Sequence, residues 1–167
     1  VPKETSNGES RVAVSPASVA QYKKQGFTIL VEKDAGAKAS FLDSVYEEAG
    51  AKIISSPKEL FDKSDIVMKV QPPSSAEADQ IKDKSTVISL FYPAKNKELL
   101  EKLQKKNCTV FGLECIPRIS RAQAFDVLSS MSNIAGYKAV IEASNHFGRF
   151  LTGQITAAGK IPPAKVL

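Results

Sequence analysis

The sequence predicts an α/β fold: a parallel sheet with helices on both faces, ending in a long helix. Three observations carry this. Short apolar runs rich in β-branched residues alternate with helical patterns up to about residue 115. Glycines stand where two helical patterns stop, at Gly26 and Gly50, and Ser-Pro pairs stand where two start, at Ser15-Pro16 and Ser56-Pro57. From Arg121 to Leu151 the alternation gives way to one proline-free, helix-forming stretch, interrupted at Gly136.

Taken in order, Arg11–Val14 reads as a short strand. Ser15 is an N-cap with proline behind it, and the helix Pro16–Gln25 exits at Gly26. Phe27–Glu32 is the next strand. A glycine-bearing loop leads to a helix near Asp43–Ala49, stopped by Gly50, and Ala51–Ile54 is a strand. Ser56-Pro57-Lys58-Glu59 has the form of a capping box and opens a short helix. Asp65–Val70 is a strand ended by Pro72-Pro73. Residues 74–83 form a helix and Thr86–Leu90 a strand. Asn96–Lys106 carries Leu99, Leu100 and Leu103 at helical spacing, and Thr109–Leu113 is the last strand of the series. Beyond the long helix, Thr152–Pro163 reads as a linker, and Ala164–Leu167 as the opening of a new strand.

A chain of 167 residues can bury one core. With 43% hydrophobic and 25% charged residues it fits neither a disordered nor a fibrous class. Lys and Arg outnumber Asp and Glu by 23 to 18, but they are interleaved, as in Lys95-Asn96-Lys97-Glu98, which suits a solvated surface rather than a nucleic-acid patch. No apolar run reaches the ~20 residues that span a bilayer. Cys108 and Cys115 have no zinc or CxxC spacing and read as buried thiols. Expected divisions are an α/β lobe over 1–120, a connecting helix region over 121–151, and a linker with the start of a further lobe over 152–167.

The usual catalytic sets are missing: the chain has one histidine and no GxSxG, HExxH, Walker loop or GxGxxG. The most informative stretch runs from Ile116 to Met131. Arg118 follows the last strand, where α/β sheets place their ligands. Gln123, Asp126 and Ser129 are spaced three apart, so on a helix they lie along one side. Carboxylate and hydroxyl can accept from a primary carboxamide while Gln or Arg donates to its oxygen, and nicotinamide is such a ligand. A local reading stands beside it. Ser120 and Gln123 fit a capping box, and Asp126 suits the first turn of a helix without any ligand.

Arg118–Val140, Asn145–Phe150 and Thr156–Leu167 closely resemble the NAD(H)-binding domain I of the alpha subunit of proton-translocating NAD(P) transhydrogenases, within the alanine dehydrogenase superfamily. Val1–Thr5, Arg11–Pro16 and Ser89–Ala94 fit the same family, so the resemblance spans the chain. It implies a Rossmann-like (flavodoxin-like) sheet and an inter-domain role for the long helix. It implies NAD(H) bound between two lobes, NADP(H) on a partner domain, and direct Re/Si-specific hydride transfer between the two. A membrane domain would couple the transfer to proton movement, on the bacterial cytoplasmic or mitochondrial matrix side, in a protein that is typically a homodimer. By resemblance Arg118, Asp126 and Ser129 hold the NAD nicotinamide, Gln123 reaches the facing NADP nicotinamide, and Tyr137 is a further contact. Arg118, Gln123 and Asp126 form the catalytic set. A strand and glycine-rich turn are expected after Leu167, and the 167 residues alone are expected to be inactive.

Alanine dehydrogenases share the opening, and there the matching Arg and Lys, here Arg11 and Lys69, bind the amino-acid substrate. A catalytic His follows the fifth strand in that pattern, where this sequence has Leu90-Phe91-Tyr92-Pro93, which argues against amino-acid oxidation. Arg11 and Lys69 then read as cleft electrostatics or ion-paired residues, and His146 as packed or on a helix surface. An amino-acid dehydrogenase and a non-catalytic NAD-sensing or docking module remain the alternatives.

Overall fold

A computed structural model describes residues 1–166; Leu167 lies outside the described residues. Two compact units divide the chain, Val1–Phe125 and Asp126–Leu167.

In the first unit, helix α1 (Pro16–Lys24) starts as its sequence dictates: Ser15 Oγ accepts from Ser18 N and Pro16 sits in the first turn. It ends in a Schellman motif. Gly26 is left-handed at φ 91°, Gly26 N donates to Lys23 O and Phe27 N to Tyr22 O, while the Tyr22 and Phe27 rings meet edge to face. That motif consumes the start of the expected strand Phe27–Glu32, so β1 is only Leu30–Glu32. Helix α2 (Asp43–Ala49) exits through Gly50 in the same way, into β2 (Lys52–Ile54). Helix α3 (Pro57–Lys63) is followed by β3 (Ile66–Met68), α4 (Ser75–Gln80), β4 (Thr86–Ser89), α5 (Lys97–Lys105) and β5 (Thr109–Gly112).

Every strand pair of this unit is parallel, as expected, but the strands form two sheets, β1-β2 and β3-β4-β5, rather than one. Each sheet has a core. Val19, Val31, Tyr46 and Ala51 pack around the first; Phe61, Val67, Val87, Phe91 and Leu103 around the second. Burying the valine, leucine and phenylalanine side chains among these contributes roughly 1.5–3 kcal/mol each. Leu99, Leu100 and Leu103 of α5 all turn to that second core, as their spacing predicts.

The expected strand Arg11–Val14 does not form. Side chains take its first N–H and its last carbonyl: Arg11 N donates to Glu9 Oε1 and Val14 O accepts from the buried Tyr46 hydroxyl at 2.7 Å. The box at Ser56–Glu59 is half made. Ser56 Oγ accepts from Glu59 N, but the Glu59 carboxylate pairs with Lys63. The reciprocal box lies instead at Ser74 and Glu77. Neither cysteine is buried; Cys108 is half-buried and Cys115 exposed.

The helix expected over Arg121–Leu151 is shorter and starts later. Ser120–Phe125 is 3₁₀, so the Ser120/Gln123 box does not form. In the second unit α6 runs Val127–His146, capped by Asp126 rather than carrying it in the first turn. It stops ahead of Gly148, which is left-handed at φ 74°. The expected linker contains an antiparallel hairpin, β6 (Gln154–Thr156) and β7 (Gly159–Ile161), with Gly159 at φ 111° closing its turn. Ala164–Val166 is not strand.

Candidate functional site

At the carboxyl ends of β3 and β4, where ligands of α/β sheets gather, side chains from distant parts of the first unit converge. Lys69 is 3% exposed; its Nζ donates to Glu77 Oε1 at 2.7 Å and lies 3.7 Å from Glu4 Oε2. Glu4 also accepts from Val70 N at 2.6 Å and Gln71 N at 3.3 Å. Glu9 accepts from Arg11 Nε and Nη2 at 2.8 and 2.7 Å and from Gln71 Nε2 at 2.7 Å. The Arg11 hydrogen bond, opposed by burial and helped by Gln71, holds the Glu9 carboxyl down at about 2. Arg11 and Lys69 are thus ion-paired, as read. Their partners Glu4, Glu9 and Glu77 were not singled out in the sequence, although Glu4 lies within the opening motif.

Tyr92 ends this edge in a left-handed conformation, φ 47°, unusual for a tyrosine. Glu114 secures it by accepting from Phe91 N at 3.0 Å and Tyr92 N at 2.7 Å, while Asn96 Nδ2 donates to Phe91 O at 2.8 Å. Phe91 is buried in the core and Tyr92 is exposed.

Of the residues predicted to bind cofactor, Arg118 and Gln123 belong to the first unit and are exposed, Gln123 on the 3₁₀ turn. Asp126 and Ser129 open the second unit and are joined to each other. Asp126 Oδ1 accepts from Ser129 N at 2.9 Å and Oδ2 from Ser129 Oγ at 2.6 Å. The cap fixes both side chains at the start of α6. The cap places one hydrogen bond on each of the two carboxylate oxygens. Tyr137, further along α6, is 72% exposed. His146 is on the helix surface, with Nδ1 at 2.9 Å from Glu142 O. Among the described residues, no helix is long and apolar enough to cross a membrane and no cluster of three metal-ligating side chains occurs.

Residues 1–135 match the family model described as "Alanine dehydrogenase/PNT, N-terminal domain". The chain is 54% identical over 166 residues to an NAD(P) transhydrogenase subunit alpha of Cereibacter sphaeroides, covering 99% of this chain and 32% of that one. Its fold is similar to the crystal structure of a transhydrogenase from Sinorhizobium meliloti, with a TM-score of 0.91 and 39% identity over 97% of this chain and 48% of the other. An L-alanine dehydrogenase structure is similar at a TM-score of 0.79 and 32% identity, covering 86% of this chain and 39% of the other. The chain therefore spans about a third of the curated relative and about half of the transhydrogenase structure.

Proposed function

The chain belongs to the alanine dehydrogenase/PNT N-terminal domain family, and from that premise we propose that it is part of the NAD(H)-binding component of an NAD(P) transhydrogenase. The observation that carries the proposal is 54% identity to a transhydrogenase alpha subunit along nearly the whole chain, and among the structures 39% identity at a TM-score of 0.91 to the transhydrogenase against 32% at 0.79 to the alanine dehydrogenase.

In this reading NAD(H) binds here and NADP(H) on a partner domain, and a hydride passes directly and Re/Si-specifically between the two nicotinamides. One cofactor loses the hydride with its two electrons and the other gains it, so no protein acid or base is needed. The chain's own residues position. Asp126 and Ser129 offer acceptor oxygens to the amide N–H groups of the NAD carboxamide, and the Asp126–Ser129 cap supports this by holding the pair in one orientation. Arg118 donates to the carboxamide oxygen, Gln123 reaches toward the second cofactor, and Tyr137 adds a contact. Setting ring distance and orientation is the main catalytic contribution available to such a site.

The further proposals follow the same reading. The lobe over 1–120 flanks the nicotinamide, 121–151 connects it to a second lobe, and 152–167 leads there. A separate membrane domain couples hydride transfer to proton translocation, and this component lies on the cytoplasmic or matrix side. A second copy pairs with it as a homodimer. The test mixes the full alpha subunit with the NADP(H)-binding component and NADH, then follows reduction of an NADP analogue. Reduction supports the reading. Oxidation of NADH by pyruvate and ammonia instead would assign amino-acid dehydrogenase activity, and NAD binding with neither reaction would leave a sensing or docking module.

A further inference from the structure

Strand β5 leaves the β4 ladder at Gly112, which pairs with Ser89. Odd-numbered residues of β4 turn their main-chain groups to β5, with Thr109 N donating to Ser85 O. One step beyond the ladder the donor due is Phe91 N, and its acceptor would be Leu113 O. The ladder breaks off instead. Leu113–Cys115 is a 3₁₀ turn, and Leu113 O accepts from Ile116 N at 3.4 Å. The Glu114 carboxylate takes the place of that carbonyl, with Oε2 accepting from Phe91 N and Oε1 from Tyr92 N. Gly112 leaves room for it, since an added Cβ there would stand 3.2 Å from Glu114 Oε1.

Both loops that Glu114 joins are constrained. On the β4 side, Asn96 Nδ2 holds the Phe91 carbonyl while Glu114 holds the two N–H groups. Tyr92 is left-handed there, a conformation that a tyrosine keeps only where its surroundings fix it. On the β5 side, the chain from Glu114 to Arg118 has little freedom. Ile116 precedes a proline and is extended, at φ −62° and ψ 124°. Pro117 fixes its own φ, and its carbonyl accepts from Ile119 N at 2.9 Å. A shift of Glu114 is therefore passed along to Arg118 rather than absorbed between them.

We propose that Glu114 is a positioning residue: it ties the loop after β4 to the loop after β5 and thereby sets where the Arg118 guanidinium stands for hydride transfer. The effect on rate rests on the role given to Arg118 in the transhydrogenase reading; the tie between the loops does not. A carboxylate suits the tie because both of its oxygens accept. An amide would turn its own N–H groups towards one of the two main-chain donors.

The test uses the full alpha subunit carrying Glu114→Ala, Arg118→Ala or both, and has two arms. Brief trypsin digestion reads the tie without any cofactor. Cleavage after Arg118 and Arg121 is expected to be roughly tenfold faster in Glu114→Ala, with cleavage after the buried Lys69 unchanged. Unchanged cleavage at both arginines overturns the tie. The second arm follows reduction of an NADP analogue by NADH in the presence of the NADP(H)-binding component. Glu114→Ala should slow it roughly tenfold alone but less than about twofold beside Arg118→Ala, because a residue that acts through Arg118 then has nothing further to lose. Equal losses in the two backgrounds, or no loss in either, overturn the positioning role. No transfer by the unsubstituted subunit, or an Arg118→Ala subunit as fast as it, sinks the transhydrogenase reading of Arg118 instead, and the trypsin arm decides the tie. Should Glu114→Ala also open the Lys69 site, Glu114→Gln, which keeps the shape and one acceptor, decides by the same outcomes.

Discussion

Asp126 has two roles to separate, because it caps α6 and is the proposed acceptor for a nicotinamide amide. Asparagine retains an oxygen able to cap, so Asp126→Asn should change stability by only a few tenths of a kcal/mol, whereas Asp126→Ala should cost about 1 kcal/mol. Hydride transfer should fall at least tenfold in both variants if the carboxylate holds the cofactor. Urea midpoints beside transhydrogenation rates measure this, and rates that merely follow stability would leave Asp126 as a cap. Glu9 carries a pH dependence. Its carboxyl lies at about 2 in the folded chain against an ordinary 4.5. A lowered carboxyl pKa stabilises fully above 4.5, and that contribution is lost as pH falls from there through about 2. Thermal midpoints between pH 5 and 2 should decline, and Arg11→Met should flatten the decline.

At the scale of elements, the sequence was most legible where a local chemical device sets a boundary. Ser15-Pro16, Gly26, Gly50 and Ser56-Pro57 marked helix ends correctly because capping and left-handed exits depend on a few neighbouring atoms. It was least legible where side chains from elsewhere take over the backbone. Arg11–Val14 has two valines in four residues and reads as a strand, yet Tyr46, 32 residues away, claims the Val14 carbonyl. The capping box read at Ser120 and Gln123 failed because the 3₁₀ turn defers the helix to Asp126. Gly36 shows a constraint that no local pattern reveals. An added Cβ there would stand 2.6 Å from Tyr46 Cε2 and 2.8 Å from Phe41 O. Tyr46 is fully buried and cannot swing aside without breaking its bond to Val14. Gly36→Ala should therefore cost about 1–3 kcal/mol as overpacking, read as a lower denaturation midpoint with an unchanged m-value.

For the whole molecule, the fold class and the family were legible while the difference in side-chain burial between the two units was not. The first unit has two apolar cores. In the second, α6 has 20 residues and none is buried; Ile134, Tyr137, Val140 and Ile141 are all exposed. Its hairpin likewise presents Ile155 at 81% exposure. An uninterrupted helix-forming sequence revealed the helix but not whether anything covers it. Tertiary packing supplies most of a helix's stability in proteins, so α6 should open by local fluctuation well below the global unfolding free energy. Hydrogen exchange should show this directly, with amides around Val140 exchanging at least a hundredfold faster than that of Val87 in dilute protein. If the proposed second copy covers these side chains, raising the concentration should slow exchange along α6 and leave Val87 unchanged. Protection of α6 equal to that of Val87 at every dilution would instead show that its own unit suffices to hold it.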